Sequence, residues 1–391
     1  MRQLIIGLFG FGVVGEGIYK VLSQKQQLGC HIQKIAIKQA NKKRNAPKEL
    51  FTTSADEILN DPEVDMVVEL IDDPVAAYAI VSEAMKKGKS VVSANKKMIA
   101  ENHLELIALS EKHSVSFLYE AAVCGSVPII RNLEEYFDND LLTYVEGIVN
   151  GSTNYILSKM KNENSNYAHA LEDAQENGFA ESDPSLDVEG IDAAYKISII
   201  TLHAFGKHVI ADKILRKGIT SLCENDFQYA KEKDLVIKLI AKSCLNEKGE
   251  LSRVSVLPTF IDSSVALGST NNEFNGVLIG SSLADEQFLY GKGAGRYPTS
   301  SAVLSDISAL KYNYRYGYKK GRKSIGISAD QLVKLYISFE RGAAFDIGIF
   351  EDIEEHHIGK DREYIIGDIA YDHLQKSNIL NDKKVSVISF N

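Results

Sequence analysis

The chain opens with QLIIGLFGFGVVGEGIYKVL: an apolar run at residues 4–9, a glycine-rich turn, then a helical pattern reaching toward Gly29. Gly10, Gly12 and Gly15 carry the G-x-G-x-x-G spacing between that strand and that helix. The first glycine permits a tight turn, the second lets a bound group approach the backbone, and the third lets helix and strand pack closely. The free N–H groups and positive dipole end of such a helix attract phosphate. The stretch therefore predicts a dinucleotide site across Gly10, Phe11, Gly12, Val13, Val14 and Gly15, with a structural glycine turn as the lesser reading.

Alternation continues from there. Residues 32–37, 65–71, 90–93 and 115–119 read as strands, and 74–87 and 99–113 as helices. That order predicts an α/β fold, a Rossmann-type doubly wound parallel sheet, over residues 1–126. The second strand ends in Lys38-Gln39, where an acidic residue would hold a ribose 2′-hydroxyl and a basic one suits a 2′-phosphate. Lys38 with Lys42, Lys43 and Arg44 points to NADP, with NAD still open; a solvated basic loop carries equal weight.

Composition narrows the class. A chain of 391 residues can hold two or three domains, and a net charge of −9 argues against a nucleic-acid partner. No apolar run nears the roughly 20 residues of a membrane span, and residues 4–9 lack a signal-peptide pattern. Cys30, Cys124, Cys223 and Cys244 are too scattered for a zinc site or a disulfide framework. A cytoplasmic enzyme acting on a small molecule is the expectation.

Two stretches place chemistry at strand ends, where open α/β sheets bind ligands. VVSANKK sets Lys96 just past a strand, and YEAAVCGSVPII sets Glu120 before a loop of small residues and a helix start at Pro128. Glu120 with nearby carbonyls could gather oxygens around a hard cation. A third stretch, GFAESDPSLDVEGIDAAYK, has five acids from Glu181 to Asp192 and one base, Lys196, at its end. Asp187 is expected to cap a helix beginning near Val188, on which Asp192 and Lys196 share a face. As a surface pair they would contribute less than about 1 kcal/mol. The apolar run KISIITLHAF beside them instead places the pair at the mouth of a buried region, where a lysine can move protons and the acids suit a substrate bearing an ammonium group.

At this point the chain resembles the homoserine dehydrogenase family over about residues 1–312, by GLFGFGVVGEG, VVSANKK, YEAAVCGSVPII, GIVNGSTNYIL, the Ala174–Lys196 stretch and GKGAGRYPTSSAVLSDI in order. The resemblance implies reversible NAD(P)H-dependent reduction of L-aspartate 4-semialdehyde to L-homoserine. It implies Lys196 as the catalytic lysine, Asp192 as its substrate-holding neighbour, and Lys96 as a lysine near the nicotinamide; either lysine could protonate the alkoxide. It places Glu181 at the substrate's amino group and Asp187 among the substrate-binding acids. Ile71, Gly178 and Gly295 would line the cofactor, and Glu120 with the carbonyls of Val123, Gly125 and Val127 would hold a monovalent cation such as sodium. It also implies an α+β substrate and dimerisation domain over 127–312, whose last helix returns to the cofactor domain, and a homodimer or higher homo-oligomer.

The chain departs from that pattern at Asp72-Asp73, where many members carry two glycines, and at Cys124, Ser126, Arg296 and Tyr297. The two aspartates either turn away from the cofactor phosphates or weaken its binding, which keeps open a second class of function, a cofactor-binding sensor without turnover. Cys124 reads as a packed small residue, and Arg296 either supports a 2′-phosphate or faces water. The tyrosine-rich segment 312–324 reads as a linker or hairpin rather than an RNA-stacking surface, and residues 325–391 as a small α+β module without the usual features of an effector-binding ACT domain. His356-His357 is expected in a solvated loop.

Overall fold

The computed structural model describes residues 3–25, 28–138, 141–163, 165–321, 323–324, 328 and 331–391. The chain divides into two compact units, Met1–Asp138 with Lys292–Lys319, and Asn139–Gly291 with Lys320–Asn391.

The first unit is a parallel sheet. Its elements are β1 (Leu4–Phe9), α1 (Val13–Gln24), β2 (Cys30–Ala36), β3 (Phe51–Thr52), α2 (Asp56–Leu59), β4 (Met66–Glu69), α3 (Pro74–Lys86), β5 (Ser90–Ser93), α4 (Lys96–Lys112) and β6 (Phe117–Leu118). The strands run β3-β2-β1-β4-β5-β6, the order of a doubly wound sheet. β1 and β4 are apolar on both faces because helices cover both; Ile6, Leu8, Val67 and Val68 are fully buried. Asp73 starts α3: its carboxylate accepts from the N–H groups of Val75 (3.0 Å) and Ala76 (3.1 Å), with Pro74 at the first helical position.

The second unit contains β7 (Leu142–Ile148), α5 (Gly151–Glu163), α6 (Tyr167–Glu176), α7 (Ser185–Val188), α8 (Ile191–Phe205), β8 (Lys207–His208), β9 (Leu215–Arg216), α9 (Glu224–Glu232), β10 (Leu235–Leu245), β11 (Leu251–Asp262), α10 (Ala266–Ser269), β12 (Phe274–Ser281) and β13 (Asp285–Lys292). Next comes α11 (Arg296–Leu310), which packs on α1 within the first unit. The chain ends with β14 (Lys323–Ser324), β15 (Leu332–Glu340), β16 (Asp352–Ile358), β17 (Arg362–Ala370), α12 (Tyr371–Lys376) and β18 (Ser386–Phe390). Among the described residues one sheet runs β13-β12-β7-β10-β11-β18-β15-β17-β16, with β9 beside β11.

Several expectations change here. The segment expected as a C-terminal module supplies β15–β18 to the same sheet: β18 runs parallel to β11 (Thr259 opposite Ser389) and antiparallel to β15. Its expected start, at 325–327 and 329–330, lies outside the described residues. Leu335, Ile337, Ile365, Val387 and Tyr371 form one core with Leu215 and Leu257. His356 and His357 lie on the edge strand β16, paired with β17, not in a loop. Among its described residues the tyrosine-rich segment forms no hairpin. Tyr316 is buried against Tyr119, Arg131 lies over the Tyr314 ring, and Glu134 accepts from the N–H groups of Gly317 (2.8 Å) and Tyr318 (3.0 Å). Of the tyrosines here only Tyr316 is buried; Tyr314 and Tyr318 are half-buried and Tyr312 is exposed. Arg322 lies outside the described residues.

α8 is buried along nearly its whole length, which explains the run KISIITLHAF. Its N-cap is Gly190, at φ +74°, not Asp187 as the sequence suggested; Asp187 instead lies inside the single turn of α7. A left-handed residue separates the two helices, and a side chain at 190 would crowd Val256 (3.1 Å) and Arg216 (3.3 Å).

Candidate functional site

In the first unit each glycine of the opening turn has a separate steric task. Gly10 sits at φ +97°, and a Cβ there would lie 2.6 Å from the Leu70 carbonyl oxygen. A Cβ on Gly15 would collide with the Gly10 carbonyl. Gly12, the N-cap of α1, has nothing within 4 Å of such an atom, and no side chain caps the helix there. This vacant ground before a helix N-terminus fits the pyrophosphate of a dinucleotide. Val13 is exposed beside it, while Phe11 meets the rings of Tyr19 and Phe51 edge-on. The Val14 carbonyl accepts from Ser300 Oγ (3.2 Å) on α11, and Gly295, at φ +115°, heads that helix. Arg296 is paired with Glu16 of α1 (3.2 Å).

A closed ring of hydrogen bonds shapes the adjoining loops. Glu69, fully buried at the end of β4, accepts from the Ile71 N–H (2.7 Å) and from Ser93 Oγ (2.6 Å). Ser93 Oγ accepts from the Asn95 N–H (3.1 Å), and Asn95 Nδ2 donates back to the Ile71 carbonyl (3.0 Å). Asn95 Oδ1 then accepts from the Met98 N–H (2.9 Å), capping α4 directly before its first residue, half-buried Lys96. Ile71 also lies against Gly10. One buried acid thus fixes both the Ile71 loop and the start of the Lys96 helix. Burial pushes its pKa up to about 7, against the opposing Ser93 hydroxyl and Ile71 N–H. Lys38 is largely exposed and reaches 3.9 Å from Asp73, the α3 cap. Asp73 is therefore occupied by a helix N-terminus and a lysine, which accounts for one of the two unexpected aspartates.

Glu120 lies at the end of β6 and is buried. Its two carboxylate oxygens accept from the N–H groups of Ile130 and Arg131, both at 2.9 Å, and its own N–H donates to Asp306 (2.9 Å). Burial raises it to about 7, and burial together with the Glu120 charge raises Asp306 further above its usual value. Glu120, Gly125 and Ser126 line a cleft with Arg131 and Ser305; position 125 needs glycine, since its φ is +55° and a Cβ would strike the Gly293 carbonyl. Both oxygens of the Glu120 carboxylate are thus held by backbone amides. Cys124 is buried. Among the described residues no three His, Cys, Asp or Glu side chains group as metal ligands.

In the second unit the acidic stretch closes on its lysine. Lys196 Nζ lies 2.6 Å from Asp192 Oδ2 and donates to the Val149 carbonyl (2.7 Å). Both side chains are buried, at 9% and 3% exposure. Asn150 Nδ2 donates to Asp192 Oδ2 (2.9 Å) and to Asp187 Oδ1 (2.7 Å). Asp187, Asp192 and Lys196 thus meet at the end of β7. Glu181 remains on an exposed loop, tethered by its carbonyl to Gln175 (2.9 Å). Gly178, at φ +74° after α6, has open space around it. Sequence reasoning missed Glu69 and Asn150. Each had a signal: a lone polar residue directly after an apolar strand, in VVE and in GIVN.

A doubly wound sheet with a phosphate-ready glycine turn, joined in one chain to a unit with a buried lysine–carboxylate pair, defines an NAD(P)-dependent oxidoreductase. The model of the family "Homoserine dehydrogenase, NAD binding domain" matches residues 10–120, and that of "Homoserine dehydrogenase" matches 128–308. The chain is 36% identical to homoserine dehydrogenase of Bacillus subtilis over 363 residues, 88% of this chain and 83% of that one. It is 38% identical to that of Lactococcus lactis over 313 residues, covering 77% and 73%. Its structure matches the crystal structure of a homoserine dehydrogenase from Thiobacillus denitrificans with TM-score 0.87 at 27% identity, over 100% and 99% of the two chains. A hyperthermophilic archaeal homoserine dehydrogenase in complex with NADPH matches with TM-score 0.70 at 26% identity, over 81% and 99%. The chain belongs to the homoserine dehydrogenase family. The activity is reversible NAD(P)H-dependent reduction of L-aspartate 4-semialdehyde to L-homoserine, in the biosynthesis of threonine, methionine and isoleucine. No helix among the described residues is long and apolar enough to cross a membrane.

Proposed function

We propose that Lys196 delivers the proton in this reaction, seated by Asp192. The observation that carries the reading is the buried 2.6 Å pair with the lysine nitrogen also on the Val149 carbonyl. When bound, the nicotinamide supplies the hydride. The chain's own task is then to neutralise and protonate the oxygen that becomes an alkoxide, and an oriented ammonium can do both. Asp192 holds Lys196 in one direction. Asp187 and Glu181 receive the substrate's ammonium group, which is why acids gather there. Lys96, at the head of α4, serves the nicotinamide side.

Coenzyme contacts fall to Gly10, Phe11, Gly12, Val13, Val14, Gly15, Ile71, Gly178 and Gly295. The basic residues Lys38, Lys42, Lys43 and Arg44 favour NADP, although a 2′-phosphate would compete with Asp73 for Lys38. A monovalent cation such as sodium is held by Glu120 with the carbonyls of Val123, Gly125 and Val127. The working protein is a cytoplasmic homo-oligomer, at least a dimer, with a cofactor domain, a substrate and dimerisation domain, and C-terminal strands that extend its sheet.

The test is consumption of NADPH and of NADH with aspartate 4-semialdehyde, for wild type and Lys196→Ala. Turnover that collapses in the variant while coenzyme binding persists supports the reading and ranks the coenzymes. Equal turnover in the two proteins removes Lys196 from the mechanism.

A further inference from the structure

We propose that Asn150 is a positioning residue for the reaction, its amide holding Asp187 and Asp192 so that Asp192 seats the Lys196 ammonium. The inference rests on the roles given to Asp192 and Lys196 above. Asn150 is 5% exposed, and both of its amide hydrogens go to carboxylates, Asp187 Oδ1 at 2.7 Å and Asp192 Oδ2 at 2.9 Å. Its oxygen accepts from the Thr153 N–H (2.9 Å) and Thr153 Oγ (3.0 Å). That fixes the amide's direction: a flipped group would turn its oxygen on two acids and its NH2 on an N–H donor. The preceding carbonyl, that of Val149, accepts from Lys196 Nζ (2.7 Å). A single dipeptide at the end of β7 therefore grips both members of the ion pair. The next residue anchors it, because a Cβ on Gly151 would lie 2.6 Å from the Glu273 carbonyl oxygen.

The choice of asparagine follows from charge. The groups facing it are the Asp187 carboxylate from α7 and Asp192 with Lys196 from α8, while α5 contributes only the uncharged Thr153. Two carboxylates lie on one amide here and only Asp192 pairs with the lysine, so two neutral donors between the acids relieve their repulsion without competing for the ammonium. An apolar residue would leave buried Asp192 and half-buried Asp187 each short of a donor, and a third carboxylate would repel both acids and draw the lysine away from Asp192.

The experiment is steady-state NADPH oxidation with aspartate 4-semialdehyde by the full chain, from about pH 5.5 to about pH 9, for wild type, Asn150→Asp, Asn150→Ser and Lys196→Ala. Asn150→Asp should lower kcat by roughly 30-fold or more above about pH 8 and regain activity as pH falls, where the new carboxyl takes up a proton and again donates to one acid. Coenzyme KM should stay unchanged. Asn150→Ser restores one donor, so it should give an intermediate kcat and a pH profile close to wild type. A loss by the same factor at every pH, or a kcat within about threefold of wild type for Asn150→Asp, overturns the proposal. If Lys196→Ala loses turnover while Asn150→Asp keeps it, Asn150 alone is ruled out; if Lys196→Ala keeps turnover, the reading beneath it fails as well.

Discussion

Glu69 and Asp192 are both buried carboxylates near a lysine of the proposed machinery, but they are held in different ways. Glu69 meets only neutral donors, the Ile71 N–H and the Ser93 hydroxyl, and burial lifts it to about 7. Asp192 faces an ammonium at 2.6 Å and an amide at 2.9 Å. Neutral donors suit an acid whose task is to shape backbone, since they bind either protonation state. An ammonium partner favours the charged form and points a proton donor at whatever lies beyond it. The first region builds a surface for a ligand. The second concentrates charge to act on one.

The largest effect that would sharpen this contrast lies in the second region. Lys196→Ala should lower kcat by about 10³, roughly 4 kcal/mol of barrier, with coenzyme affinity kept. In the first region the matching change is steric. Gly12→Val meets open space in the protein, at a backbone φ of −84° that valine tolerates. It should therefore fold with an unchanged melting temperature yet weaken coenzyme binding by about 30-fold or more, measured by fluorescence titration. Normal affinity would show that the turn does not hold the pyrophosphate.

Glu69→Gln separates the regions by pH. The folded-state pKa of Glu69 lies above the usual 4.5, at about 7, so the native state keeps a proton that the unfolded chain releases. Its contribution is complete below about pH 4.5 and is lost as pH rises through about 7. The glutamine variant should therefore gain stability relative to wild type between pH 5 and pH 8, by up to about 3 kcal/mol, in denaturant titrations. A difference independent of pH would mean that Glu69 is ionised throughout. The smallest effect is Asn95→Ala, which removes the α4 cap and one link of the ring. About 1–2 kcal/mol of stability should be lost, with the Lys96 side of the site less well ordered and coenzyme KM raised a few-fold.

Much of the first unit was legible because its determinants are local. The tasks of Gly10, Gly12 and Gly15 are steric conditions on neighbouring backbone, and strand–helix alternation shows as a change of period. Asp192 and Lys196 could be paired on paper because four residues of helix place them on one face. β10 was not foreseen. Its sequence LVIKLIAKSCL carries Lys238 fully buried, and only distant partners make that tolerable: the Thr270 carbonyl (2.5 Å), Asn154 (3.1 Å) and Asn271 (3.2 Å).

The sequence by itself determined the glycine turn, the parallel sheet and the spacing that lets a lysine share a helix face with an acid. These follow from steric and periodic rules acting within a few residues. The tertiary structure alone decided that the C-terminal strands enter the large sheet, and that Asn150 reaches Asp192, 42 residues away. It also decided that Glu69 ties Ile71 to Ser93. Such links depend on which strands become neighbours and which polar groups lose water together, and that choice is made by the whole buried interior rather than by any one segment.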